Sequence, residues 1–180
     1  MDLPYFRFHP DPLATGAIKP SDAVCDCCGE ARGYRYTASF YAIEEVEYIC
    51  PWCIADGRAA AKYDGSFVDD MPLREAGVAE AIVNEVCQRT PGYESWQQEH
   101  WLAHCGSACQ FLGDAEKSDL EQMPVAHLGR IFADSLLPDQ LLQRQFWLPY
   151  VNQYVKGTNP AVYKFRCLHC GQLLFDMDYT

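Results

Sequence analysis

The sequence predicts an α+β fold, with cysteine-bearing β-hairpins at its two ends and a helical middle. Three observations predict it. Cysteines recur in spaced pairs, Cys25 with Cys28 and Cys50 with Cys53 early in the chain, and Cys167 with Cys170 near its end. Runs rich in β-branched and aromatic residues lie beside those pairs, as strands require. Between them, apolar residues recur at helical spacing. A hydrophobic content of 49% with 13% aromatics in 180 residues suffices for a real core, in one domain or two tightly joined ones.

In chain order, residues 5–12 read as extended, because Pro10 and Pro12 forbid a helix. Residues 34–49 mix Tyr, Thr, Phe, Ile and Val and read as a strand pair joining the first two cysteine pairs. Residues 57–63 suit a short helix. Residues 73–87 carry the clearest helical pattern, with Pro72 suited to the first turn and Thr90-Pro91-Gly92 as the stop. Helices are expected over 119–135 and 138–155, and a hairpin over 161–178. Residues 1–70 thus form a zinc-ribbon-like region, and residues 71–180 a helical region ending in a zinc-knuckle hairpin. The two are expected to make one compact unit.

The cysteines carry the chemistry. Cys25, Cys28, Cys50 and Cys53 form two C-x-x-C pairs with 21 residues between the inner members. Zn²⁺ accepts four thiolates in a tetrahedron, and each C-x-x-C turn aims two sulfurs at one point. Gly29 lets the first turn close, so Cys27 is the spare thiol. The second set joins Cys105 and Cys109, a C-x-x-x-C pair, to Cys167 and Cys170, followed by Gly171. His104 and His169 are neighbouring alternative donors. Two zinc ions follow, with iron as the rival metal for four cysteines. Complete sets leave no open position, so both sites read as structural. Cys50-Pro51-Trp52-Cys53 also fits a redox motif, but the matching pair upstream on a strand-rich stretch favours zinc.

Charge narrows the partners. Fourteen Lys and Arg stand against 25 Asp and Glu, a net charge of -11, so no nucleic acid is expected as partner. Met1-Asp2-Leu3-Pro4 resembles no secretory signal and no long apolar run exists, so the expectation is a cytoplasmic protein without membrane insertion. Thiols there serve metal or redox chemistry rather than disulfides.

The segments His9-Pro10-Asp11-Pro12, Cys50-Pro51-Trp52-Cys53-Ile54-Ala55-Asp56-Gly57, Thr90-Pro91-Gly92-Tyr93 with Trp96-Gln97, and Cys167 to Gly171 resemble the CbrC family of bacterial proteins. The likeness keeps the same order along nearly the whole chain. It implies a bacterial cytosolic protein and supplies no reaction. The colicin tolerance associated with one member is a phenotype and transfers no mechanism.

Trp52, Trp96, Gln97 and Trp101 are candidates for lining a binding groove, against the alternative that the aromatics complete the core. No Ser-His-Asp pattern or phosphate loop is present, and no catalytic residue is assigned. The functional expectation is a structural zinc-binding module for a protein or small-molecule partner; the alternative is a thiol redox or metal-dependent enzyme.

Overall fold

The structure, a computed structural model, describes residues 2–123 and 144–178. It is a mixed fold of short helices and small antiparallel sheets. Strand β1 (Ile18–Pro20) pairs antiparallel with β2 (Tyr34–Tyr36), placing Ile18 opposite Tyr36, both buried. The expected strand pair over 34–49 is therefore corrected. Only its first three residues form a strand, and their partner lies upstream. Ile43, Glu44, Glu45 and Glu47 stay in solvent, because this glutamate-rich stretch offers no apolar face to bury. An isolated bridge, Tyr41 to Ser66, and the Tyr36 N–H bond to the Ile49 carbonyl tie the loop down.

Pro51 starts α1 (Pro51–Ala55), and α2 (Arg58–Tyr63) follows, as expected for 57–63. The helix expected over 73–87 is two helices, α3 (Met71–Glu75) and α4 (Glu80–Arg89). The break falls at Gly77, whose φ of 69° ends α3, and the Val78 N–H then turns back to the Leu73 carbonyl at 3.0 Å. Arg74 spans the break, pairing with Asp70 and Glu80. Leu73, Val83, Val86 and Cys87 form the inward face.

The middle of the chain is not purely helical. A small hairpin, β3 (Ala103–His104) with β4 (Ser107–Ala108), leads into β5 (Gln110–Asp114). Helix α5 (Lys117–Glu121) starts two residues before the helical span expected from 119 and overlaps its beginning, and α6 (Arg144–Gln153) falls within the span expected over 138–155; the parts of those spans at 124–143 lie outside the described residues. The tail forms the expected hairpin. Strand β6 (Ala161–Arg166) pairs along its whole length with β7 (Leu173–Asp178), and β5 completes a sheet of order β5-β6-β7.

One cluster of buried side chains runs from Phe6 to Leu174. Its centre is aromatic: Tyr93 stacks on Phe111 at 4.2 Å between ring centroids, with Trp101, Tyr163 and Phe165 around them. The N-terminal segment is built in, since the Phe111 N–H donates to the Phe8 carbonyl at 2.7 Å. A smaller cluster of Leu120, Met123, Val151, Tyr154 and Val162 fastens α5 and α6 to the sheet.

Two features of the core generate predictions. Gly92 lies so close to its neighbours that a Cβ there would stand 2.2 Å from the Phe67 carbonyl oxygen and 2.9 Å from the Tyr36 hydroxyl. Gly92→Ala is expected to cost about 1–3 kcal/mol, and more than Gly77→Ala, where positive φ is strained but space is open; melting curves of the two variants check the order. His9 is fully buried. Its Nδ1–H donates to the Pro91 carbonyl at 2.9 Å, so Nε2, 2.7 Å from the Thr15 hydroxyl, accepts. Burial pushes its pKa down to about 4 against the opposing effects of Pro91 and Asp11. The unfolded chain therefore takes up the proton first. Stability is full above about pH 6.5 and falls toward pH 4, by on the order of 3 kcal/mol from this residue. His9→Asn, which keeps a donor but does not titrate, is expected to flatten that part of the pH–stability profile.

Candidate metal centres

The first centre is built from a turn and a helix start. The Cys25 N–H donates to the Glu30 carbonyl at 3.0 Å and the Gly29 N–H to the Cys25 carbonyl at 2.7 Å, closing a knuckle that needs φ of 74° at Gly29. Cys50 caps α1, and Pro51 in its first turn fixes the chain so that Cys53 lies one turn on. The Asp26 carboxylate accepts the N–H groups of Glu47 and Tyr48, at 3.0 and 2.8 Å, and so locks the knuckle to the segment entering Cys50. From α2, Lys62 and Tyr63 donate to the Asp26 carbonyl at 2.7 and 2.8 Å.

These elements bring the sulfurs of Cys25, Cys28, Cys50 and Cys53 within 4.8 Å of one another. Cys25 to Cys53 and Cys28 to Cys50 are each 3.9 Å between sulfurs. Four metal–sulfur bonds of 2.3 Å in a tetrahedron give edges of about 3.8 Å, whereas a disulfide needs about 2.05 Å. The second pair opens a helix instead of returning on a hairpin, so the zinc-ribbon expectation matches in sulfur count and not in backbone. Cys27 is half-buried and stays outside the four.

Proximity sets the electrostatics. The Cys50 thiol and backbone N–H groups of Cys50, Cys28 and Cys27 outweigh burial and lower Cys25 to about 4. Cys50 is pushed up by that same shared hydrogen bond and by burial, and Cys53 chiefly by burial. One thiolate thus raises the cost of the next. A divalent cation removes that conflict by compensating several thiolates at once.

The second centre repeats the knuckle. The Cys167 N–H donates to the Gln172 carbonyl at 2.8 Å, the Gly171 N–H donates to the Cys167 carbonyl at 3.0 Å, and Gly171 has φ of 75°. Facing it is the tip of the β3–β4 hairpin, a two-residue turn in which Cys105 and Gly106 have φ of 50° and 70°, as primed hairpin turns require. Cys105 is thus held in the left-handed region despite its side chain, a strain typical of functional positions. His104, Cys105, Cys167 and Cys170 form the second group within 4.8 Å. His104 Nδ1 stands 3.2 Å from the Cys105 sulfur and 3.5 Å from that of Cys170. Metal binding through Nδ1 would leave the proton on Nε2.

Cys109, expected in this set, is placed elsewhere. The turn at Cys105-Gly106 reverses the chain, and Cys109 returns to the base of the hairpin, where its N–H donates to the Leu102 carbonyl at 2.8 Å. It is fully buried, and at about 3.3 Å per strand residue the tip is out of its reach. His104 takes the vacated corner, and His169 lies exposed outside the group. The signal for this was the small-residue frame Ala103-His104-Cys105-Gly106-Ser107, which reads as a tight hairpin. Burial raises the Cys167 thiol, but N–H groups of Cys170 and His169 and contact with His104 outweigh it and bring it to about 6. Desolvation, then the neighbouring sulfurs of Cys170 and Cys167, push Cys105 up to about 11.

The two centres differ in exposure. Cys25, Cys50 and Cys53 are at most 2% exposed, while Cys105 and Cys170 face solvent. The aromatic candidates do not converge. Trp101 is core, its Nε1–H donating to the Cys109 carbonyl at 2.8 Å. Trp52 lies near the first centre with the Arg32 guanidinium 5.6 Å from its ring centroid. Trp96 and Gln97 donate their backbone N–H groups to the buried Asp178 carboxylate. Among the described residues, no helix is long and apolar enough to cross a membrane.

Fold and site together define a small cysteine-knuckle protein with two clusters able to hold metal ions. The chain belongs to the uncharacterised protein family UPF0167, whose profile matches residues 3–179. The UPF0167 protein PA1536 of Pseudomonas aeruginosa is 53% identical over 180 residues, covering 99% of this chain and 98% of the relative. UPF0167 protein Mb2317 of Mycobacterium bovis and UPF0167 protein MT2352 of Mycobacterium tuberculosis are each 39% identical over 181 residues, covering 99% of this chain and 94% of theirs. No solved structure matches the chain.

The geometry separates Cys109 from His104 experimentally. Cys109→Ala is expected to leave the second centre's metal content unchanged in protein that remains folded, whereas His104→Ala lowers its affinity by at least about tenfold. Competition with a chromophoric chelator measures both.

Proposed function

We propose that this protein is a structural zinc-binding protein in which two ions, one on Cys25, Cys28, Cys50 and Cys53 and one on His104, Cys105, Cys167 and Cys170, hold the fold for an interaction with another molecule. The observation that carries the reading is the pair of 3.9 Å sulfur separations in the first cluster, which fit the edges of a tetrathiolate zinc site. Four cysteines, and three cysteines with one histidine, are both donor sets of structural zinc. The bound ions tie separate parts of the chain: the first centre joins the 25–30 turn to α1, and the second joins the β3–β4 tip to the tail hairpin. The likeness to the CbrC family supports a bacterial cytosolic setting.

A thiol redox enzyme is the second reading, favoured by the position of Cys50-Pro51-Trp52-Cys53 at the start of α1. Such chemistry needs a depressed thiol pKa on the leading cysteine. The Cys50 sulfur instead lies in a group of four, 3.9 Å from that of Cys28 and within 4.8 Å of those of Cys25 and Cys53, which matches the metal reading better than an isolated dithiol pair.

Elemental analysis of protein purified without added metal is expected to give two zinc ions per chain, and removal by a chelator is expected to unfold the region around the first centre, seen as loss of near-ultraviolet circular dichroism. Protein that is folded with neither zinc nor iron, or that keeps its melting temperature through complete chelation, would overturn the proposal.

A further inference from the structure

Apart from the sulfur clusters, a cavity of about 350 Å³ opens beside the β5-β6-β7 sheet. Among the described residues, aromatic side chains line it, Tyr93, Trp96, Phe111 and Tyr163, and so do two carboxylates, Glu94 and Asp114, with no lysine or arginine. We propose that this cavity is a binding site for an organic ammonium group, with Asp114 as its counter-ion and the aromatic wall as its apolar contact.

Four observations support that class of ligand. Aromatic faces attract cations through their ring quadrupole, most strongly where water is excluded, and Trp96 keeps half its surface exposed while the other three rings are largely buried. Asp114 has no hydrogen-bonding side-chain partner among the described residues, and burial raises its pKa above the ordinary range, with Lys156 opposing that rise and Glu116 adding to it. Lys156 does not line the cavity, and its ammonium is paired with Glu116. The Tyr163 phenol is pushed upward first by burial and then by Asp178, Asp114 and Asp176, which reports a negative field at the cavity wall.

The backbone keeps the space open. Gly113 and Gly157 both line the cavity with φ of 93° and 76°. A Cβ at Gly113 would stand 3.2 Å from the Thr15 methyl, and one at Gly157 would stand 4.0 Å from Asp114 Oδ2. Thr15 is itself steadied by the buried His9 ring. The chain's net charge of -11 further favours the approach of a cation over that of an anion.

The same chemistry is offered by a free small amine and by a lysine side chain or amino terminus of a protein, so the test has separate arms. Metal-loaded full-length protein labelled with ¹⁵N is titrated with choline, with its neutral isostere 3,3-dimethylbutan-1-ol, with butylamine, and with a lysine-containing tripeptide blocked at both ends. The proposal expects shifts in the Trp96 indole and the Gly113 and Gly157 amides with choline or butylamine, and binding of 3,3-dimethylbutan-1-ol weaker than that of choline by about tenfold or more. Asp114→Asn, folded by its amide spectrum, is expected to lose about tenfold for the cations and nothing for the alcohol. A response to the tripeptide as strong as to butylamine assigns the site to protein amines, and a weaker one to small molecules. Equal binding of choline and its isostere, unchanged affinity in Asp114→Asn, or shifts confined to residues away from the cavity would overturn the proposal.

Discussion

Thiolates packed within 4.8 Å of one another cannot all carry charge unless a cation shares the space, and the arrangement of this molecule follows from that constraint. The first cluster is assembled from a turn and a helix start whose cysteines join the core, and the second from two turns that meet at their tips. The 25–30 knuckle is held by its internal hydrogen bonds, by Asp26 and by α2. The 167–172 knuckle caps the tail hairpin and meets the β3–β4 tip across more than sixty residues of chain. Closing such a loop by a cation restricts the unfolded chain as well as stabilising the folded one. The burial difference between the centres would then have a physical consequence: an ion held at the buried first centre would exchange through local unfolding, and one held beside the solvent-facing Cys105 and Cys170 would exchange directly.

The core between the centres does not rely on metal in the same way. Tyr93, Trp101, Phe111 and Phe165 pack as one aromatic group, and the N-terminal segment, the sheet and α4 all feed the same cluster. Gly92 is where this packing leaves no room for a side chain, which accounts for a glycine after Thr90-Pro91. Cys109, though it lies four residues past the Cys105 tip, belongs to this core and supplies its carbonyl to Trp101.

How much of this was legible in the sequence depended on whether the controlling contact was local. The knuckles at Cys25 and Cys167 were legible because C-x-x-C-G encodes its own turn, and the tail hairpin because its strands adjoin. The break at Gly77 was underweighted because apolar spacing continues past it, although one glycine with positive φ is enough to end α3. The strand expected after Tyr36 failed because β-favouring residues need a partner, and β2 pairs backward with β1. The second centre was legible as a need for partners to Cys167 and Cys170, but choosing His104 over Cys109 required knowing that Cys105-Gly106 is a two-residue turn. Spacing alone cannot tell a tip from a strand running away from it.

The central claim, that bound zinc occupies two tetrahedral sets of unlike composition, is tested most directly by X-ray absorption at the zinc edge. The account predicts four ligands per ion, with sulfur at about 2.3 Å and nitrogen at about 2.0–2.1 Å, in a mean ratio of about seven sulfurs to one nitrogen across the two sites. A shell dominated by oxygen or nitrogen, or zinc absent while the clustered cysteines form disulfides, would contradict it.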